Sequence, residues 1–164
     1  MPVDSQLAEP GAPTARQPLD DVSKKIIEQL QENGRRPYAT IAASVGLSEA
    51  AVRQRVQRLV RDGVVQIVAV TNPLHVGFTR QAMIGIKVDG HLDPVVQAVS
   101  ALDEVAYVVI TAGSFDVLAE VICEDDAHLL HIMNHAIRTI EGVRSTETFV
   151  YLELSKQTYT WGTR

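Results

Sequence analysis

The chain has one cysteine, Cys123, in 164 residues. A single thiol excludes an intrachain disulfide framework. Its place inside an apolar, alternating run marks a buried and inert side chain rather than a nucleophile. Aromatic residues are scarce, at 5% with a single Trp. No stretch of eighteen apolar residues occurs, so no membrane span is expected. The amino terminus lacks a charged region followed by an apolar one, so a signal peptide is not expected. These features favour the cytoplasm. Nucleophile elbow, P-loop and Rossmann glycine fingerprint are all missing, so the chain does not read as an enzyme. An overall excess of base is missing too, with a formal net charge of −5. The charge is unevenly spread, however. Residues 20–64 carry +2, residues 65–164 carry −6 and residues 1–19 carry −1. Basic charge is concentrated in one early segment, so the total does not exclude a polyanionic partner.

That segment is the most informative part of the chain. An Ala-rich stretch beginning at Tyr38 ends at Gly46, and Ser48 is placed to cap a following helix through its hydroxyl. Val52, Val56, Leu59 and Val60 then recur at i, i+4, i+7, i+8 and form one apolar stripe. Ala50, Gln54, Gln57 and Arg61 point the opposite way, flanked by Arg53 and Arg58. Six arginines and one acid, Glu49, lie between Arg35 and Arg61. An ordinary solvated αα-hairpin shares the amphipathicity. The tight glycine turn and the sign of the charge favour a helix-turn-helix whose second helix lies in the DNA major groove. Upstream, a helix is expected from about Asp21 to Asn33, capped by Asp20 or Asp21, striped by Val22, Ile26 and Leu30, and stopped by Gly34. Pro37 suits the first turn of the next helix.

The remaining chain divides by composition. Residues 1–18 hold four prolines and little periodicity, which predicts a disordered tail. Val64–Val70 is a run of apolar β-formers and predicts a strand. With the Asn72-Pro73 turn signal, residues 64–78 form a wing-like β linker. Strands are then predicted over Ala82–Val88, Val105–Thr111, Asp116–Glu124 and Val143–Leu154. Helices are predicted from Asp93-Pro94, as N-cap and first residue, and from Asp126 to Ile140. The order βαββαβ over residues 79–155 specifies a ferredoxin-like α+β sandwich. Residues 156–164 read as a C-terminal tail. Val108, Ile110, Leu118, Ile122 and Tyr151 exceed what two short helices can cover, so a second copy of the chain is expected on the open sheet face.

Several short pieces, taken in order, resemble the Lrp/AsnC (feast/famine) transcriptional regulators. They are Leu19-Asp20, Gly46-Leu47-Ser48, Arg55-Val56 with Arg58-Leu59, and Gly63-Val64-Val65. Further along come Asn72-Pro73 with Gly77, then Ala112-Gly113-Ser114-Phe115-Asp116 and Gly142-Val143. The segment after Gly63 is one residue shorter than the commoner form and lacks its Gly-Tyr pair. The resemblance implies a winged-type helix-turn-helix domain (19–63) followed by an amino-acid-binding and oligomerisation domain. It also implies dimers that assemble further, and an effector bound near the 111–116 loop between neighbouring dimers.

Two sets of site residues follow. On the DNA side, Arg53, Gln54 and Gln57 are expected to read bases. Arg35, Arg36, Arg58 and Arg61 are expected to serve phosphates, with Ser48, Glu49 and Ala50 at the start of the helix. Arg55, nearer the apolar side, is expected to pair within the domain or grip backbone. On the effector side are Thr111, Ala112, Gly113, Ser114, Phe115 and Asp116. There the glycine admits a ligand close to backbone N–H groups, while Ser114 and Asp116 offer an acceptor and a negative charge. A plain β-hairpin turn uses the same residue types. No cofactor and no resident metal are expected. His128, His131 and His135, at i, i+3, i+7, leave a metal-responsive regulator as an alternative. Their direction away from Leu129, Met133 and Ile137 favours solvated side chains. The acids Asp103-Glu104 and Asp125-Asp126 read as surface charge without positioned partners, the second pair as charges at a helix N-terminus. A third alternative is a ferredoxin-like subunit of an enzyme that binds a small molecule and no DNA.

Overall fold

The structure is a computed structural model and describes residues 18–164. The tail read over residues 1–18 lies outside the described residues except for Pro18. Two compact units are present. One contains the described residues up to Ala69 together with Lys156–Arg164, and the other contains Val70–Ser155.

The first unit is a three-helix domain of α1 (Asp21–Glu32), α2 (Tyr38–Val45) and α3 (Glu49–Arg61). Asp20 caps α1, its carboxylate accepting the Ser23 N–H at 2.7 Å. Pro37 stands at the N-cap position of α2 rather than inside its first turn. Gly46 ends α2 at φ +71°, a left-handed conformation that glycine adopts without Cβ strain. Ile26, Leu30, Ile41, Ala42, Val52 and Val56 make the core. Leu59 is also buried, but Val60 is 46% exposed and drops out of the expected stripe. A 3.6-residue repeat carries Val60 past the edge of the contact with α1 and α2.

No strand forms over Val64–Val70. Val64, Ile67, Val68 and Val70 are exposed. A lone run of β-formers has no ladder without a neighbouring strand, whatever its propensity. The expected wing is therefore not present among the described residues. Asn72 does cap a short 3-10 turn, Pro73–His75.

The second unit has four strands and two helical segments. The strands are β1 (Arg80–Val88), β2 (Val105–Ile110), β3 (Val117–Cys123) and β4 (Val143–Val150). They pair antiparallel in the order β2-β3-β1-β4, the ferredoxin-like arrangement. The helices are α4 (Leu92–Ser100) and α5 (Asp126–His131), the latter continuing as a π-helical stretch, Ile132–Ile137. His91, not Asp93, occupies the N-cap position of α4, and no side chain caps it. Asp93 instead adds negative charge within the first turn. β4 stops at Val150, four residues before the expected end. One further bond, Tyr151 N to Gln81 O at 2.9 Å, follows, and Leu152 is then 98% exposed.

Alternation along β3 divides the sheet into two faces. Val117, Ala119, Val121 and Cys123 are buried beneath the helices with Ile84, Ile86, Val95, Val99 and Ile137. Leu118, Glu120 and Ile122 occupy the other face. Residues opposite each other across a ladder share a face. Val108 and Ile110, paired with Ala119 and Val117, therefore lie on the helix side, against expectation. The open face instead carries Tyr107, Val109, Met83 and Phe149 beside Leu118 and Ile122.

Candidate nucleic-acid interface and effector loop

The recognition helix begins where Ser48 Oγ accepts the Ala51 N–H at 3.2 Å. Its hold on the domain comes from one side chain as well as from the apolar stripe. Arg55 donates to Asp20 Oδ2 at 2.6 Å and to Ser23 Oγ at 3.1 Å. The residue that caps α1 thus also clamps α3. Bonds from Ser23 and Arg55 hold the Asp20 carboxyl well below the usual carboxylate range. Pairing of Arg55 inside the domain matches the sequence expectation.

The outward face of α3 presents Arg53, Gln54, Gln57, Arg58 and Arg61, all exposed, with Ser48, Glu49 and Ala50 exposed at its start. These side chains are not equivalent. Arg53 pairs with Glu49 at 2.7 Å and lies over the Tyr38 ring at 5.2 Å. Arg61 bonds Asp62 at 3.1 Å. Arg36 is committed to α1, through Glu32 at 2.9 Å and Gln29 at 3.2 Å. Arg58 and Arg35 form no ion pair among the described residues. Gln54 and Gln57 stand one helical turn apart on the exposed face, without side-chain hydrogen bonds among the described residues.

The β2–β3 connection is an internally bonded loop. Thr111 Oγ1 donates to Phe115 O at 2.6 Å, and Thr111 N donates to Asp116 O at 2.9 Å. Asp116 Oδ2 accepts the Val88 N–H at 2.8 Å. Its charge is therefore partly used in fixing the loop to the end of β1, where sequence reasoning held it available to a ligand. Ala112, Gly113 and Ser114 are exposed at the tip. A Cβ built on Gly113 meets nothing within 4 Å, and its φ lies outside the left-handed region. Gly113 therefore leaves open space and is not required by backbone conformation.

Phe115 turns back onto the sheet. It stacks edge-on against Phe149 at 5.9 Å, and Lys87 Nζ lies 5.9 Å from its ring. A Cβ on Gly85 would stand 2.7 Å from that ring. Gly85, Lys87 and Phe149 thus join the loop's surroundings, and sequence reasoning missed all three. A glycine in mid-strand was the available signal, since it marks a close approach.

The histidines do not converge. His128 Nε2 lies 3.3 Å from Glu104, and its Nδ1 lies 3.4 Å from the Glu124 N–H. His131 and His135 stack on each other with ring centroids 5.0 Å apart. No cluster of three metal-binding side chains exists among the described residues. Of these acids, Glu104, Asp125 and Asp126 do have positioned partners, contrary to expectation, Glu104 facing His128. Asp126 forks onto Arg80, and Asp125 caps α5 by accepting the His128 N–H at 2.8 Å. Cys123 is fully buried and its thiol is pushed up to about 11, chiefly by desolvation.

A three-helix domain with an exposed arginine- and glutamine-bearing helix, joined to a half-open βαββαβ sheet, defines a class of DNA-binding regulator. Comparison with known proteins agrees. An AsnC-type helix-turn-helix domain matches residues 19–60. A C-terminal dimeric alpha+beta barrel domain matches residues 78–164. The transcriptional regulator FL11 of Pyrococcus furiosus is 34% identical over 142 residues, covering 85% of this chain and 93% of FL11. The regulatory protein AsnC of Escherichia coli is 28% identical over 138 residues, 82% of this chain and 91% of AsnC. The solved structure of Escherichia coli AsnC superposes with a TM-score of 0.74 at 26% identity, over 87% of this chain and 98% of that one. A Neisseria meningitidis transcriptional regulator, solved as a complex with L-Met, gives 0.75 at 26% identity over 87% and 96%.

The chain belongs to the Lrp/AsnC family of transcriptional regulators. It is an AsnC-type DNA-binding regulator, not an enzyme, and its C-terminal domain is of the dimeric alpha+beta barrel type. No helix among the described residues is long and apolar enough to cross a membrane.

Proposed function

We propose that this protein binds specific DNA duplexes as a homodimer or an assembly of dimers, and that an amino acid or close relative tunes its assembly or DNA affinity. The observation that carries the reading is the division of labour on α3. Its buried stripe and the Arg55–Asp20 clamp fix the helix, and Gln54, Gln57 and Arg58 stay uncommitted on its outer face. Glutamine amides and arginine forks are the groups that read base edges, and arginines neutralise phosphates. In this reading Gln54, Gln57 and Arg53 contact bases. Arg35, Arg58 and Arg61 contact phosphates, with Arg36 restrained by Glu32. Ser48, Glu49 and Ala50 stand where the helix start meets the groove edge. Dimerisation supplies two such helices for two half-sites.

The effector site is assigned to the loop Thr111–Asp116. The open tip at Gly113, exposed backbone at Ala112–Ser114, and the Phe115 ring beside Lys87 offer donors, an apolar wall and a cation to a zwitterion. The L-Met complex of the Neisseria relative supports a free amino acid as the ligand class. Gel-shift titration of a duplex selected from a random library, with and without each of the twenty amino acids, tests both halves. An effector should change DNA affinity by roughly 5–150-fold, the usual range of allosteric coupling. Absence of duplex binding would remove the reading. A response to zinc but to no amino acid would move the sensor to the histidine helix.

A further inference from the structure

The last nine residues group with the helix-turn-helix, although the whole α+β domain separates the two in sequence. Their anchor is α1. Gln31 Oε1 accepts the Gly162 N–H at 3.0 Å, and Gln31 Nε2 donates to Gly162 O at 3.4 Å. One side-chain amide thus satisfies both backbone groups of a single residue, as an adjacent β-strand would. One turn earlier, Glu28 Oε1 accepts the Thr163 hydroxyl at 2.6 Å. Glu28 and Gln31, three apart, share a flank of the helix. Gln29 faces α2 instead, donating to Ser44 at 2.6 Å. Ile27, four residues before Gln31, is buried yet is not part of the cluster formed by the three helices.

Gly162 has φ +75°, and a Cβ there would meet nothing within 4 Å. Backbone conformation, not space, therefore demands the glycine.

We infer that residues 156–164 are a return strap that docks in cis on the Glu28–Gln31 flank of α1 and completes the DNA-binding unit. The chain crosses between the two units twice, after Ala69 and before Lys156. Covalent attachment keeps the strap at high effective concentration, so three hydrogen bonds suffice to hold it. The strapped helix is the one whose cap, Asp20, grips Arg55 of the recognition helix.

The protein carries its own reporter, because Trp161 is its only tryptophan. In the full-length protein, Gln31→Leu removes both amide bonds. Gly162→Ala, which leaves every α1 side chain in place, disfavours the left-handed turn. Each should lower Trp161 fluorescence anisotropy toward that of the free nonapeptide Lys156–Arg164, with circular dichroism unchanged. Each should also speed amide hydrogen exchange in α1 by about tenfold, the effect of losing roughly one net hydrogen bond. Wild-type anisotropy and exchange in both variants would overturn the strap. The variant pair Glu28→Cys with Thr163→Cys, joined by a short bismaleimide, should give a band of one chain length on a denaturing gel in which mass spectrometry finds residues 28 and 163 bridged. A product of two chain lengths would mean that the segment docks on a second copy, and would overturn docking in cis.

Discussion

At the scale of single residues, Asp20 does two jobs with one carboxylate. It caps α1 and clamps Arg55. Its folded pKa is lowered, so it contributes stability above the ordinary carboxylate pKa of about 4 and loses that contribution progressively as pH falls below it. Asp20→Asn should flatten the acid limb of helix-turn-helix unfolding, followed by circular dichroism between pH 6 and pH 2. An unchanged acid limb would show that the carboxylate is not the titrating element. On α3, Gln54→Ala should weaken binding to a selected duplex by about 1–3 kcal/mol and relax preference at one base position. Unaltered preference at matched salt would remove Gln54 from base readout. Arg58→Ala should weaken all duplexes alike and reduce the salt slope by about one.

Among the secondary elements, the effector loop is the sharpest case. A Cβ on Gly113 meets nothing within 4 Å, so Gly113→Gln should fold normally, keep basal DNA binding and lose the effector response. Retention of the response at the same amino-acid concentration would place the pocket elsewhere. Gly85 behaves oppositely. Gly85→Ala must push the Phe115 ring, since its Cβ would arrive 2.7 Å from ring carbons. It should therefore shift effector affinity while leaving operator affinity without effector unchanged, which isothermal titration and gel shift can separate. The helix termini obey simpler rules. Removing the Ser48 hydroxyl should destabilise the DNA-binding unit by about 1 kcal/mol.

For the molecule as a whole, the open sheet face carries Tyr107, Val109, Leu118, Ile122 and Phe149 on a domain whose family type is dimeric. Leu118→Arg places a charge among these apolar side chains and should shift the protein toward monomer by light scattering. DNA affinity should fall with it, because two half-sites are no longer engaged together. A dimer at micromolar concentration in this variant would mean that another surface holds the copies together. Tyr151, pushed up to about 12 by burial and by Glu120, keeps its proton across the physiological range.

The three helices of the DNA-binding unit, the Asp20 and Ser48 caps and the βαββαβ order were legible in the chain itself. Ser48, Gly46 and the Val52-Val56-Leu59 stripe act over one or two helical turns, and alternation in β3 is a local repeat. The sequence by itself also placed Arg55 beside the apolar stripe of α3, leaving pairing within the domain and a grip on DNA backbone both open. Only the tertiary structure decided which acid Arg55 meets, since Asp20 lies 35 residues away in the chain. The same holds for Phe115 covering Gly85, Asp116 bonding Val88 and the terminal segment docking on Gln31. It holds equally for Val64–Val70, whose β propensity is local but whose ladder needs a neighbouring strand. Local periodicity and capping are written within a few residues of where they act, and are readable there. Contacts between distant segments depend on how the elements pack, and no local pattern encodes their partners.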